Sequence, residues 1–84
     1  MQFEYRTKGT CSSKINFEVK DNKVYNVVYT SGCNGNLQGI GKLVEGMDID
    51  EVITRLKGIR CGFKATSCPD QLAKALLEAK EQIA

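Results

Sequence analysis

Phe3 and Tyr5 alternate with Gln2, Glu4 and Arg6 over residues 2–7, and a period of two is the mark of a half-buried strand. Lys8, Gly9, Thr10 and Cys11 interrupt the pattern. It then resumes with Ile15, Phe17 and Val19 facing one way and Lys14, Asn16, Glu18 and Lys20 the other. Asp21 and Asn22 both tolerate positive φ, so they predict a tight turn into the β-branched and aromatic run from Val24 to Thr30. That third strand is apolar on both faces, with Tyr25, Val27 and Tyr29 against Val24 and Val28, which predicts a central place in the sheet with helices over one side.

After a turn at residues 31–35 the apolar period lengthens to nearly four. Leu37, Ile40, Leu43 and Val44 form one helical stripe, with Gly46 where a C-terminal cap is expected. Gly39 and Gly41 each weaken that helix by about 1 kcal/mol relative to alanine, and close packing against a neighbour is the expected compensation. Asp48 and Glu51 have capping-box spacing ahead of a short helix with the stripe Ile49, Val52, Ile53 and Leu56, stopped by Gly58. A last helix is predicted from Ser67 or Cys68, with Pro69 in its first turn and Leu72, Ala75, Leu76, Ala79 and Ile83 along one face. The predicted class is α+β, a three-stranded antiparallel sheet followed by three helices packed over it, in a single domain spanning residues 1–84.

At 84 residues, such a domain hides only about 60 to 65 per cent of the surface of its unfolded chain, and a metal staple would help so small a core. Twelve basic and ten acidic side chains are interspersed. Arg55, Lys57, Arg60 and Lys64 form the longest cationic cluster, which falls short of the basic stripe with interleaved aromatics that a nucleic-acid binder presents. No apolar run approaches the roughly 20 residues that cross a bilayer. A chain that opens on Met1 without an export segment is expected in the reducing cytoplasm.

Chemistry, in that setting, falls to sulfur. There are four cysteines and no histidine, which excludes a histidine-based triad, a histidine general base and a mixed Cys/His zinc site. Cys11, Cys33, Cys61 and Cys68 all fall at predicted element junctions, away from the apolar stripes where a purely structural cysteine sits. Cys68 also has a helix N-terminus, which favours thiolate over thiol, and Arg60 or Lys64 would reinforce this. The spacing C-x21-C-x27-C-x6-C lacks paired C-x-x-C knuckles, so any common site must be assembled by the tertiary fold. Four thiolates suit zinc or an iron-sulfur cluster by softness and number. Gly32, Gly35, Gly39 and Gly41 match neither phosphate-binding fingerprint and are better read as turn and packing glycines.

The run Thr66-Ser67-Cys68-Pro69-Asp70, with Gly32-Cys33-Asn34-Gly35-Asn36-Leu37 and the stretch from Gly58 to Gly62, resembles the TSCPD domain family over essentially the whole chain. Members of that family occur as small free-standing proteins and as the C-terminal part of cobalamin-dependent ribonucleotide reductases. The resemblance implies Cys11, Cys33, Cys61 and Cys68 as metal ligands, an accessory role in deoxynucleotide synthesis, and protein partners such as ribonucleotide reductase or a thiol reductant. It also carries the label ribonucleoside-diphosphate reductase, a reaction that needs a large barrel and a radical cofactor site beyond the capacity of 84 residues; whether the chain catalyses anything alone stays open. More distantly, the order of elements and of Cys11, Cys33 and Cys68 is similar to the U-type iron-sulfur scaffold proteins. Ser13 stands where that family has an aspartate and Ser67 where it has a histidine, while Cys61 adds a fourth thiolate. Three functions follow: a zinc-binding accessory module, a carrier or scaffold for sulfur or an iron-sulfur cluster, and a dithiol redox module using Cys61 and Cys68.

Overall fold

The computed structural model describes residues 1–10, 12–32 and 34–83. Three strands, β1 (Gln2–Arg6), β2 (Lys14–Lys20) and β3 (Lys23–Thr30), precede three helices, α1 (Asn34–Val44), α2 (Ile49–Leu56) and α3 (Cys68–Ile83). The sheet is antiparallel throughout, in the order β1-β2-β3. Its alternation is the one anticipated. Ile15, Phe17 and Val19 of β2 are buried, and Phe3 of β1 stacks on its cross-strand partner Phe17 with ring centroids 5.4 Å apart. Asp21 and Asn22 take φ of 51° and 65°, the pair of left-handed residues that a two-residue hairpin turn of matching twist requires.

β3 departs from expectation: it is an edge strand, and β2 is central. A bulge explains why the pattern of β3 reads as two-faced. Asn16 pairs with Val28 and Glu18 with Tyr25, so Asn26 and Val27 together oppose the single residue Phe17. Asn26 absorbs the extra residue with φ of 54°, its amide donating to Glu45 Oε1 at 2.9 Å and its side chain to Glu18 Oε1 at 3.2 Å. Beyond the bulge the faces exchange, so Val24 and Val27 are both buried while Val28 stays 59% exposed. Apolar residues on both apparent faces therefore reflected a shift of phase and not burial on two sides. The first half of this edge is closed by the segment that joins α1 to α2, through Gly46 N to Val24 O at 2.7 Å and Val24 N to Met47 O at 2.9 Å.

The helices complete the core on the inward face. α1 packs on β3 and α2 on α3, bringing Val44, Ile49, Val52, Ile53, Leu72, Ala75, Leu76 and Ala79 against the sheet residues. Two predicted stripe members do not join: Leu43 is 78% exposed and Ile83 49% exposed. Buried Gly41 holds the place on the α1 face between Leu37 and Val44 and leaves Leu43 turned outward. Asp48 caps α2 by accepting from Asp50 N at 2.9 Å, but Glu51 pairs with Arg55 instead of returning to the cap, so the capping box is only half formed.

The two α1 glycines separate cleanly. A Cβ on Gly41 would lie 2.8 Å from the Val27 carbonyl oxygen, whereas a Cβ on Gly39 meets nothing within 4 Å. Close packing thus explains Gly41 and not Gly39. Gly41→Ala is expected to destabilise by about 1–3 kcal/mol by forcing α1 off β3, and Gly39→Ala to stabilise by about 0.5–1 kcal/mol through helix propensity. Urea unfolding of the two variants measures both, and equal midpoints would contradict the packing argument.

Candidate functional site

The head of α3 is where the sequence-predicted chemistry and the structure meet. Cys68 is the first residue of α3 and is half-buried, and Cys61 lies exposed, as a free thiol, in the loop before it. Cys11 and Cys33 lie outside the described residues. Among the described residues no group of three or more histidine, cysteine, aspartate or glutamate side chains is arranged around a common point.

Around Cys68 the signature residues Thr66, Ser67 and Asp70 are buried and committed to anchoring. Ser67 precedes the helix, and its Oγ accepts from Asp70 N at 3.1 Å while donating to the Ile59 carbonyl at 2.6 Å. It thereby satisfies one of the helix's unpaired donors and ties the 57–66 loop to the same point. Asp70 receives Gly58 N at 2.7 Å on one carboxylate oxygen and the Thr66 hydroxyl on the other, with Lys74 Nζ at 3.5 Å. Thr66 Oγ1 in turn accepts from Gln71 Nε2 at 3.0 Å, and Gln71 Oε1 accepts from Lys8 N at 3.1 Å. One buried chain of hydrogen bonds therefore joins the loop after β1, the head of α3 and the loop after α2.

Burial alone would push the Asp70 carboxyl upward. Hydrogen bonds from Thr66 and Gly58 and the charge of Lys74 outweigh it, so the group titrates below its ordinary value and stays ionised. With its oxygens occupied in this way, Asp70 is a brace and not a spare ligand, which leaves thiols as the soft donors at this end of the molecule.

Two further groups face Cys68. Ser12 Oγ lies 3.1 Å from its Sγ, and Thr10 Oγ1 lies 3.2 Å from Ser12 Oγ. When Cys68 is ionised, the Ser12 hydroxyl is the donor. Tyr29 of β3 donates its hydroxyl to the Cys68 carbonyl at 3.0 Å. Burial, and then the nearby charge of Cys68, raise the Tyr29 phenol well above its usual value, so it remains a protonated donor.

Sequence reasoning singled out Cys61 and Cys68 but assigned no role to Ser12, Tyr29, Thr66, Asp70 or Gln71. Ser67 and Asp70 carry a readable signal, because Ser-x-x-Asp ahead of an apolar stripe is the spacing of a helix cap. Ser12 and Gln71 carry none, since their partners lie 56 and 63 residues away in the chain.

A small α+β module that braces a cysteine-bearing helix head with a buried polar network is the class that fold and site define. Residues 3–80 match the TSCPD domain, and the chain belongs to the TSCPD domain family. No curated protein and no solved structure matches it. Among the described residues no helix is long and apolar enough to cross a membrane.

Proposed function

We propose that the protein is a zinc-binding accessory module in which Cys11, Cys33, Cys61 and Cys68 supply four thiolates, and that it serves a protein partner in deoxynucleotide synthesis, as the family resemblance to the C-terminal part of ribonucleotide reductases suggests. The observation that carries this reading is the destination of the signature's side chains. Each cysteine segment has a described neighbour tied to residues 66–71: Lys8 and Ser12 flank Cys11 in sequence, Tyr29 of β3 stands four positions before Cys33 in sequence, and Gly58, Ile59 and Cys61 itself come from the loop after α2. A network that gathers four such segments suits a closed tetrathiolate site, which in a small domain contributes folding free energy as well as chemistry. Cys61 fits that donor set as an exposed thiol and Cys68 as a half-buried one at a helix head.

Elemental analysis of anaerobically purified protein, with a visible spectrum, tests it. About one zinc per chain and no absorption beyond the aromatic band is the expected result. Iron with acid-labile sulfide would assign the site to an iron-sulfur carrier instead.

One observation favours a second reading. Cys61 N bonds to Thr66 O at 3.2 Å, closing a short loop that ends two residues before Cys68. A dithiol module would oxidise this pair to a disulfide with loss of two electrons and two protons to an acceptor disulfide, and a thiol reductant would restore it. Metal-free protein carrying a Cys61–Cys68 disulfide after purification would support that reading.

A further inference from the structure

Phe63 is fully exposed and Ile59 is 42% exposed, both in the loop that joins α2 to α3. No aspartate or glutamate occurs from residue 52 to residue 69, while Lys57, Arg60 and Lys64 are all exposed there. Among the described residues no ion pair engages any of the three; Arg55, at the end of α2, is paired with Glu51. The loop is nonetheless held in shape. Gly58 N and the Ile59 carbonyl are fixed to Asp70 and Ser67, Cys61 N is fixed to Thr66 O, and Lys64 N donates to Cys61 O at 3.0 Å across a turn in which Gly62 takes φ of 59°. An aromatic ring in water on a braced turn, ringed by unpaired cations, has no role in the core of this chain. It does have the attributes of an interface anchor: large apolar area, few rotatable bonds and little conformational entropy left to lose on association.

We propose that residues 57–64 form a docking surface for an acidic protein surface that offers an apolar hollow to Phe63, with Ile59 at its edge and Lys57, Arg60 and Lys64 meeting carboxylates on the rim. This rests on the partner-binding half of the proposed function and is independent of which metal the thiolates hold. A protein suits the patch better than a nucleic acid does. Phe63 is its one aromatic, so successive bases would have no stacking platform, and the open face of the sheet carries Glu4 and Glu18, which break any cationic path across the molecule. Rim charges of this kind set the association rate and its salt dependence, while the buried ring sets the lifetime of the complex.

The test uses the full chain, as purified, and three probes: a 16-residue amphipathic helical peptide of leucine and glutamate, a peptide of glutamate alone with the same charge, and a single-stranded oligouridylate. The leucine-glutamate peptide is expected to bind, with chemical-shift changes centred on residues 57–64. Phe63→Ala should weaken it about thirty-fold, the loss typical of an aromatic anchor. The double variant Arg60→Glu and Lys64→Glu should slow association and reverse its salt dependence, since added salt then screens a repulsion. Because Phe63 makes no core contact, Phe63→Ala should keep the thermal midpoint and metal content of the parent. Loss of peptide binding with metal retained thus tells on the surface alone, and an absence of metal in the parent tells on the thiolate site alone. Equal binding of both acidic peptides, an unchanged affinity for Phe63→Ala, or tighter binding of the oligouridylate would overturn the proposal.

Discussion

Asp70→Ala is expected to lower the stability of the protein by on the order of 3 kcal/mol, out of a total of about 5–10 kcal/mol for a domain of this size. Asp70 is 5% exposed and bridges the Thr66 hydroxyl, the Gly58 amide and the Lys74 ammonium. Alanine leaves the buried Thr66 hydroxyl and the part-buried Gly58 amide without this acceptor, and a buried donor left unpaired costs about 1–3 kcal/mol. Asp70→Asn keeps one acceptor and should cost less. Acid dependence gives an independent readout. The folded-state carboxyl titrates below its ordinary value of 3.8, so the stability it contributes is complete above pH 3.8 and is lost as pH falls through the lower folded value. Parent protein should therefore lose stability on acidification below about pH 4 more steeply than Asp70→Asn, because the amide does not titrate. Urea midpoints at several pH values measure both effects. A midpoint for Asp70→Ala within experimental error of the parent would show that the network does not hold the head of α3.

The second large effect concerns the thiolates. If all four cysteines hold one zinc, each Cys→Ser change should lower metal content and thermal stability together, by several kcal/mol, since binding free energy at a structural zinc site is folding free energy. Cys61 is the discriminating position. In a closed four-thiolate site Cys61→Ser should cost as much as Cys33→Ser. In a three-cysteine scaffold built from Cys11, Cys33 and Cys68 it should be nearly silent. In a dithiol module Cys61→Ser should abolish disulfide formation and leave metal content at zero throughout the series. Inductively coupled plasma analysis and calorimetry on the same preparations separate the three outcomes.

Local pattern carried most of the fold. The hairpin through Asp21 and Asn22, the short helix opened by Asp48 and the start of α3 at Cys68 are all written in residues within a few positions of one another. The errors share a cause, which is dependence on contacts distant in sequence. The Asn26 bulge is stabilised by Glu45, nineteen residues away, and its shift of phase is what makes an edge strand read as apolar on both faces. Leu43 was counted as core because the helical stripe was read without knowing that Gly41 is the closest approach to Val27.

The site was legible in a different way. Cysteine count, absent histidine and junction placement point to the stretch holding Cys61 and Cys68, and Cys68 does begin α3. Ser67 and Asp70 have the spacing of a helix cap, but the bracing role of Thr66, Asp70 and the neighbouring Gln71 is not legible from their chemistry. Only the arrival of Lys8 and Gly58 in three dimensions joins these three into one network. Thr66, Ser67 and Asp70 of the family signature are thus accounted for by the hydrogen bonds that hold the head of α3.

X-ray absorption at the zinc edge, recorded on zinc-loaded protein prepared without oxygen, counts the ligands directly. Four sulfur neighbours at about 2.3 Å, with no shorter shell, are expected for Cys11, Cys33, Cys61 and Cys68 acting together. A shell at about 2.0–2.1 Å from nitrogen or oxygen, or protein that retains no zinc after desalting, would contradict a four-thiolate site.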